Sequence, residues 1–343
     1  MANPSQVLDT FKGRKVPGFT PVLPIYHTAA SLGSGISMKE FASDADKLAE
    51  AMLWAYNKFN FDGVQLTLGV GMEAEALGAK TAQSEKGLPA VTEYLLEDIS
   101  NLKRLKIPDG YNSGRMPVFL EAVNKIQKNI RDKAIVVATV RGPFVIAGQL
   151  RGIEPLMLDG YDNPDFVKEL LEFCTEISFN FAEALIKAAG VKVIAFGEAL
   201  CSPDFISPDF YKEMIAPLHK KLMQRVHTAG LEAAIIHICG NIAPIFDTIL
   251  NIGVDAADID AKTDLKTILE MNKNAGKPLG LRGNLEPAWL LKAAEKEVEE
   301  KSLELLCQTN GAPWILSSGC DVPYGTPDAN MSALSRSAKR ENI

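Results

Sequence analysis

Short apolar runs alternate with longer amphipathic segments along almost the whole chain of 343 residues. Apolar runs of about 4–8 residues between glycine or proline are typical of buried strands, and apolar residues three and four apart are typical of helices. This pattern predicts eight strands: Val16–His27, Asp62–Gly69, Ala134–Gly142, Val191–Gly197, Leu231–Cys239, Asp255–Asp260, Pro278–Gly283 and Pro313–Ser318. The helices predicted between them include Met38–Phe59, Pro164–Ala189, Pro208–Thr228, Ile242–Ile252, Leu265–Ala275 and Pro287–Thr309.

This alternation also predicts the fold. Strand–helix–strand units favour parallel pairing with right-handed crossovers, and eight of them in one chain favour an α/β fold of the (β/α)8 TIM-barrel type. We therefore expect a single barrel domain over residues 1–343. The segment Met72–Met116 is too long for a plain connection and follows the C-terminal end of a strand, so we expect it to cover the barrel mouth. Residues 1–15 predict a short helix at the opposite end.

Composition and charge exclude several classes of protein. The net charge of −7 argues against a nucleic-acid partner, which needs a basic surface. No apolar stretch approaches the roughly 20 residues of a membrane span, and the N-terminus has no basic segment followed by an apolar core, so we expect neither a membrane partner nor secretion. Five cysteines are an odd number and do not suggest a disulfide framework. We expect a cytoplasmic protein whose paired thiols hold a metal.

The candidate chemistry begins at the end of the fifth predicted strand. His237 and Cys239 lie two residues apart, so on a strand their side chains point to the same face. Cys320 follows the eighth predicted strand, and the C-terminal ends of barrel strands meet at one face. One nitrogen and two sulfur ligands with an open fourth position are typical of a catalytic zinc. The alternative is that these residues only pack, because a buried cysteine behaves as a small hydrophobe.

Other polar residues also stand at predicted strand ends. Glu198 is a candidate for the fourth zinc ligand or for a general acid; alternatively, its carboxylate only accepts backbone N–H bonds. His27 and Asn284 each end a strand and are candidates for substrate binding. Asp258 and Asp260 share one strand face near the candidate site. They either belong to that site or pair structurally with Arg141, Lys262 or Arg282.

The remaining cysteines and histidines give weaker signals. Cys201 lies in a predicted loop and is either a ligand or an ordinary loop thiol. The other members of this group lie in helical patterns, where we expect packing and no ligand role: Cys174, Cys307, His219 and His227. Aromatic residues near the predicted mouth could line an apolar pocket, and two of them, Tyr26 and Phe144, are also substrate-binding candidates; the full set is Tyr26, Phe144, Phe196, Phe205 and Tyr324.

Several motifs resemble the uroporphyrinogen decarboxylase superfamily, and within it the corrinoid-linked methyltransferase branch. The specific part is His237-Ile238-Cys239-Gly240-Asn241 together with Ser318-Gly319-Cys320-Asp321-Val322-Pro323. Supporting motifs lie at Glu73–Gly78, Gly142–Phe144, Ser202–Pro208 and Gly283–Pro287, and the resemblance covers about Val7 to Ser335. That branch includes methylcobamide:coenzyme M methyltransferases and the methyltransferases of O-demethylase systems.

The resemblance implies a TIM barrel that holds zinc through His237, Cys239 and Cys320 and moves a methyl group to or from cobalamin. True decarboxylases of the superfamily carry an Arg-Gln-Ala-Gly-Arg segment near the first strand. Here the matching region, Leu23–Ala30, contains no arginine, so a uroporphyrinogen-type decarboxylase is the alternative and not the prediction. No Asp-x-His-x-x-Gly motif is present, which indicates that a separate corrinoid protein carries the cobalamin.

The direction of methyl transfer stays open at this point. Zinc could hold a thiol acceptor as thiolate, or act as a Lewis acid on the oxygen of a methyl ether donor. The aromatic residues named above favour a methoxylated aromatic donor. A non-catalytic alternative is a barrel in which zinc is a structural staple, and such sites usually have four protein ligands.

Overall fold

One curled parallel sheet organises the protein, whose computed structural model describes residues 3–341. The sheet has seven strands in the order β1-β4-β5-β6-β7-β8-β9, and β2 and β3 form a separate antiparallel hairpin. The strands are β1 (Gly63–Leu66), β2 (Lys80–Ala82), β3 (Ala90–Glu93), β4 (Ile135–Arg141), β5 (Val193–Gly197), β6 (Ala233–His237), β7 (Ala256–Ile259), β8 (Gly280–Leu285) and β9 (Trp314–Ser318).

Helices connect the strands and pack against the sheet, which makes the fold α/β as predicted. The α-helices are α1 (Pro4–Phe11), α2 (Thr28–Ser34), α3 (Met38–Ser43), α4 (Ala45–Phe59), α5 (Met72–Ala76), α6 (Met116–Ile130), α7 (Pro143–Arg151), α8 (Ile153–Asp162), α9 (Pro164–Ala189), α10 (Pro208–Phe210), α11 (Ala216–Thr228), α12 (Phe246–Ile249), α13 (Leu265–Asn274), α14 (Pro287–Lys292), α15 (Glu295–Gln308) and α16 (Asp328–Glu341). Within the described residues, no helix is both long and apolar enough to cross a membrane.

Seven of the eight predicted strands are present, and the prediction of the first, Val16–His27, is wrong. This segment makes a single parallel bridge, between Val22 and Leu316 of β9. It contains Pro17, Pro21 and Pro24, which have no N–H to donate, so a regular ladder cannot continue through them. The segment still reaches both edges of the sheet: Leu23 N–H donates to the Leu316 carbonyl, and the Val22 carbonyl accepts from Asp62 N–H just before β1.

The N-terminal helix closes the end of the sheet where the strands begin, as predicted. Val7 and Phe11 of α1 are buried against a cluster of inward-facing strand residues that includes Ile135 and Val193. A Cβ atom at Gly280 would overlap the carbonyl oxygens of α1, so only glycine allows the helix to lie this close to β8. This apolar cluster fills the lower part of the interior, and the polar residues lie above it.

Three predicted long helices are interrupted. Met38–Phe59 is two helices, because Asp44 adopts an extended conformation and its side chain caps α4 by accepting from the N–H groups of Asp46 and Lys47. Pro287–Thr309 is likewise split into α14 and α15, and Pro208–Thr228 consists of α10, a π-helical turn at Tyr211–Ile215 and α11. The segment Met72–Met116 contains α5, the β2–β3 hairpin and one 3₁₀ turn at Ile99–Arg104.

Candidate metal centre

Three side chains converge where β6 and β9 end. His237 Nε2 lies 3.5 Å from Cys239 Sγ and 3.7 Å from Cys320 Sγ, and the two sulfurs are 3.9 Å apart. His237 is the last residue of β6 and Cys239 follows two residues later, while Cys320 follows β9. The sulfurs are well beyond the disulfide bond length of about 2.05 Å, so both cysteines are free thiols. The sequence predicts that these three side chains lie close together, and in the structure they do.

The register of three neighbouring strands places a second layer behind His237. His237 is opposite Asp258 on β7, and Asp258 is opposite Arg282 on β8, so the three side chains stand in a row. His237 Nδ1 is 2.9 Å from Asp258 Oδ2, and Arg282 donates to both carboxylate oxygens at 2.7 and 2.6 Å. All of Asp258 and Arg282 is buried. Asp258 thus holds Nδ1 and leaves Nε2 facing the two sulfurs.

These distances fit a tetrahedral zinc ion. Zn–S bonds of about 2.3 Å and a Zn–N bond of about 2.0–2.1 Å separate two sulfurs by about 3.8 Å and a nitrogen from a sulfur by about 3.5 Å. The observed separations of 3.9, 3.5 and 3.7 Å match those edges. The carboxylate on Nδ1 is also the usual partner of a zinc-bound histidine. His237, Cys239 and Cys320 could therefore hold zinc and leave a fourth position free.

Hydrogen bonds within the group favour a protonated His237 beside one thiolate, so a metal ion that binds here would displace the proton from Nε2. Burial by itself lowers the pKa of His237, but hydrogen bonds with Asp258 and Cys320 outweigh it and raise the pKa to about 9. The hydrogen bond from Cys239, and then the His237 imidazole, lower the pKa of Cys320, whereas the shared hydrogen bond raises the pKa of Cys239. Cys320 is thus the first thiol of the pair to become a thiolate, the form that binds metals.

A cavity of about 340 Å³ opens on the three side chains. Its apolar wall includes Leu88, Pro89 and Ala90, which come from the hairpin region of the segment Met72–Met116. That the whole segment covers the mouth remains a prediction. The polar wall comes from residues of or near β1 and β4 and from the first predicted strand: His27, Gln65, Thr67, Thr139 and Arg141.

Glu198 lies apart from this group. Its side chain is completely buried, and its oxygens accept hydrogen bonds from Phe144 N–H at 3.1 Å and Val145 N–H at 3.0 Å, at the start of α7. Its Oε1 also lies 2.7 Å from His219 Nε2. A Cβ atom at Gly142 would overlap this carboxylate, so glycine is needed there. The geometry is that of the structural alternative, in which Glu198 holds the first turn of a helix.

We predict that Glu198→Gln retains zinc but is less stable. The amide cannot accept from two helix N–H groups and from His219 as the carboxylate does, and lost hydrogen bonds to a charged group cost about 1.5–3 kcal/mol. Metal analysis and thermal unfolding measure the two effects. Loss of the metal with unchanged stability would instead make Glu198 a zinc ligand.

Cys201 and His219 lie beside Glu198 and form a second buried group of potential ligands. His219 Nδ1 is 3.2 Å from the Tyr211 hydroxyl, so both ring nitrogens have partners. This group is an internal hydrogen-bond network. Cys174 is buried in α9, which agrees with the packing role predicted for it, whereas Cys307 is exposed.

The candidates for substrate binding are scattered. Only His27 lines the cavity; Tyr26 packs against Phe59 and Phe61, and Phe144 is buried against Phe210. Asn284 lines a different cavity. Of the other aromatic residues predicted to form a pocket, Phe196 is buried, Phe205 is exposed, and Tyr324 does not line the cavity.

Three cavity residues, Gln65, Thr67 and Thr139, were not assigned a role from the sequence, and Arg141 was named only as a possible structural partner of Asp258 or Asp260. Gln65 and Thr67 continue the inward face of β1, and Thr139 and Arg141 are two inward-facing residues at the end of β4. Polar residues at alternate positions of otherwise apolar strands were the available signal. Structural pairing was the alternative role given for Asp258, and Asp258 does pair with Arg282 while also holding His237.

Comparison with known proteins gives a consistent picture. The family model described as uroporphyrinogen decarboxylase (URO-D) matches residues 3–341. The chain is 26% identical to methylcobamide:CoM methyltransferase MtbA of Methanosarcina acetivorans, over 89% of this chain and 88% of that protein. It is 23% identical to a methylated-thiol–coenzyme M methyltransferase of Methanosarcina mazei (96% and 87%), and 21% identical to a uroporphyrinogen decarboxylase of Prochlorococcus marinus (89% and 86%).

Solved structures share the fold. A methyltransferase from Methanosarcina mazei superposes with a TM-score of 0.89 and 24% identity, over 98% of both chains. A B12-independent methionine synthase from Shewanella superposes with a TM-score of 0.62 and 13% identity, over 94% of this chain and 97% of that one.

Proposed function

The chain belongs to the uroporphyrinogen decarboxylase family, and we propose that it is a zinc-dependent methyltransferase that carries a methyl group from the cobalt of a separate corrinoid protein to a small thiol. The observation that carries the proposal is the group of His237, Cys239 and Cys320, whose donor atoms are 3.5–3.9 Å apart at the wall of a cavity. The names of the curated relatives, which include methylcobamide:CoM methyltransferases, support it.

Each protein group has a definite task in this proposal. Zinc, when bound by the three side chains, supplies a Lewis acid that keeps an acceptor thiol deprotonated at neutral pH. Asp258 fixes the His237 tautomer, so that Nε2 carries the lone pair, and Arg282 fixes Asp258 through two hydrogen bonds. The apolar wall of Leu88, Pro89 and Ala90 limits water beside the sulfur nucleophile.

The proposed transfer is a displacement at carbon. The sulfur lone pair forms the new S–C bond as the Co–C bond breaks, and the electron pair of that bond stays on cobalt, so methyl-Co(III) becomes Co(I). The thiol proton has already left to solvent. The product is a methyl thioether, and no other oxidant or reductant is required.

A thiol acceptor fits the cavity better than an aromatic ether donor. The five aromatic residues that favoured an ether do not line the cavity, whose volume of about 340 Å³ is at the small end for ligand sites. The relatives that act on methylated thiols or coenzyme M point the same way. Demethylation of a methyl ether, with Co(I) as acceptor, is therefore the second form of the proposal.

The proposal also includes the closure of the barrel, the binding partner and the cellular compartment. The segment Val16–His27 would occupy the position of the eighth strand and complete a TIM barrel, because it hydrogen-bonds to both edges of the sheet. The mouth of that barrel would receive the corrinoid protein, and the enzyme would act in the cytoplasm, where its five free cysteines stay reduced.

The test is a methyl-transfer assay with zinc-loaded protein, a methylated corrinoid protein or methylcobalamin, and a panel of thiols. We expect the methyl-Co(III) absorbance to decay and one methyl thioether to form per cobalt reduced. Cys307→Ala is a matched control, because Cys307 is exposed and lies outside the cavity. It should transfer methyl groups at the wild-type rate, whereas Cys239→Ala should not.

The same assay separates the alternatives. Transfer only from methyl ethers to Co(I) would select the demethylating direction. No transfer with any oxygen, nitrogen or sulfur substrate, but with zinc retained, would favour the structural staple. Release of CO₂ from uroporphyrinogen would favour the decarboxylase, which the absence of an arginine in Leu23–Ala30 argues against.

A further inference from the structure

We propose that His27 is the general base of the reaction: its Nε2 takes the proton of the acceptor thiol, and Asp321 holds the ring in place. The inference rests on the proposed function, because it requires that a thiol enters the cavity beside Cys239 and Cys320. His27, Asp321 and the two cysteines line the same cavity of about 340 Å³.

The backbone places the His27 ring next to one of the proposed zinc ligands. Val322 N–H donates to the Ile25 carbonyl at 2.8 Å, and His27 N–H donates to the Asp321 carboxylate at 3.1 Å. These bonds tie the segment before α2 to the loop that follows β9. Because Asp321 directly follows Cys320 in that loop, His27 lies beside the position where a thiol would meet Cys320.

Asp321 orients the His27 ring. Its Oδ1 lies 3.4 Å from His27 Nδ1, and its Oδ2 accepts from the Thr28 hydroxyl at 3.3 Å. A carboxylate beside Nδ1 favours a proton on that nitrogen and leaves the lone pair on Nε2. The base and the group that orients it are thus adjacent, which is the arrangement that activates nucleophiles in many enzymes.

His27 Nε2 is a basic atom without a hydrogen-bond partner among the described residues. The side chain is only 5% exposed, and buried polar atoms are nearly always satisfied, so an unpartnered nitrogen in a cavity wall indicates a missing ligand. The other proton acceptors of this cavity are engaged. The nitrogens of His237 face Asp258 and the sulfurs, and the Asp321 carboxylate accepts from His27 and Thr28.

The surroundings keep His27 in the neutral form that can accept a proton. Burial, and then the charges of Arg141 and Arg282, lower the pKa of His27 well below its usual value. The imidazole is therefore neutral at about pH 7, and once protonated it loses the proton readily to solvent. The charged or titratable groups around it are Asp321, Arg141, Arg282, His237 and Asp258.

The proton transfer balances without any further reagent. The S–H bond of the thiol breaks, its electron pair stays on sulfur, and the proton moves to His27 Nε2. The imidazolium releases this proton to solvent before the sulfur lone pair attacks the methyl carbon. A base inside the cavity is needed because the apolar wall limits the water that would otherwise take the proton.

The first test needs no corrinoid protein. Zinc-loaded protein is mixed rapidly with 2-mercaptoethanol in weak buffer, and an indicator dye follows the release of protons. We expect the wild type to release about one proton per chain, and His27→Gln to release it about 100-fold more slowly near neutral pH, which is the lower end of the range for a general base.

Methyl transfer gives the second test, because a base matters only while the thiol carries its proton. The defect of His27→Gln should be largest near neutral pH and should disappear as the pH passes the pKa of 2-mercaptoethanol. It should also shrink with trifluoroethanethiol, which is a more acidic thiol. A merely structural role of His27 would lower the rate equally at every pH and with both thiols.

Three further variants complete the comparison. His27→Asn also removes the base and should behave as His27→Gln does, while melting temperature and zinc content show that the fold and the metal are retained. His227→Gln removes a half-buried imidazole outside the cavity and should match the wild type. Asp321→Asn keeps the base but loses its orientation, so we expect a smaller defect with the same dependence on pH.

Proton release at the wild-type rate in His27→Gln, or a defect that does not change with pH, would overturn the proposal. A full defect in Asp321→Asn with none in His27→Gln would overturn it in favour of Asp321 as the base. Proton release that depends on His27 without methyl transfer would refute only the proposed function. Methyl transfer with the same pH profile in the wild type and His27→Gln would refute only the base.

Discussion

The double variant Cys239→Ala/Cys320→Ala is expected to contain no zinc and to transfer no methyl group, while keeping its fold. It removes both sulfur ligands from the group and leaves only His237. Loss of an outer partner of a metal ligand already costs about 10–100-fold in metal affinity or activity, so loss of two ligands costs more. Metal analysis by mass spectrometry and the methyl-Co(III) assay measure the two effects.

The fold should survive because the core does not depend on these residues. Both cysteines are only partly buried, and the apolar clusters on the two faces of the sheet do not include them. Circular dichroism and the melting temperature check this. The variant Cys307→Ala tests for effects of cysteine removal in general. One zinc per chain in the double variant would contradict the assignment of the ligands.

Asp258→Asn is expected to weaken zinc binding about 10–100-fold and to destabilise the protein by about 3–5 kcal/mol. Three donors converge on the Asp258 carboxylate, two from Arg282 and one from His237. An asparagine has one acceptor oxygen, so at least one donor would face its NH₂ group. The Arg282 charge would then be buried without a full partner, and His237 would lose the hydrogen bond that fixes its tautomer.

A second variant separates stability from metal binding. Asp258→Asn/Arg282→Met removes the uncompensated charge, so we expect much of the stability to return while zinc affinity stays low. Asp132→Asn removes an exposed carboxylate that is 88% accessible and should change neither quantity. Wild-type zinc affinity in Asp258→Asn would show that the carboxylate does not orient His237. Chemical unfolding and competition with a zinc chelator provide the measurements.

The convergence of the three candidate ligands was predictable from the sequence because its signal is local. His237 and Cys239 share a strand face through a spacing of two, and Cys320 follows another apolar run. Once a parallel α/β sheet is inferred, these strand ends must lie at one edge. The family resemblance is confirmed by the match of the family model over residues 3–341.

Two parts of the structure needed more than a local apolar pattern to predict. The hydrogen-bond partners of Glu198 are the start of a helix at Phe144 and Val145 and the His219 ring, and no local pattern links these residues to Glu198. The first strand failed because three prolines override an apolar run that otherwise indicates a strand. The aromatic residues were predicted to line a pocket because they lie near the predicted strand ends. The sequence does not show in which direction their side chains point.

The polar wall of the cavity was missed for a related reason. Threonine and glutamine are ordinary strand residues, and only the three-dimensional structure shows that Gln65 and His27 each have an atom without a hydrogen-bond partner in the described part of the chain. The alternation of side chains along a strand shows from the sequence that these residues point inward. It does not show whether their polar atoms find hydrogen-bond partners.

X-ray absorption at the zinc edge tests the central claim most directly. In the zinc-loaded protein we predict one nitrogen ligand and two sulfur ligands, with a Zn–S distance of about 2.3 Å and a Zn–N distance of about 2.0–2.1 Å. Addition of the acceptor thiol should raise the number of sulfur ligands from two to three. A resting site with four protein ligands, or a sulfur number that does not change with saturating thiol, would contradict the account.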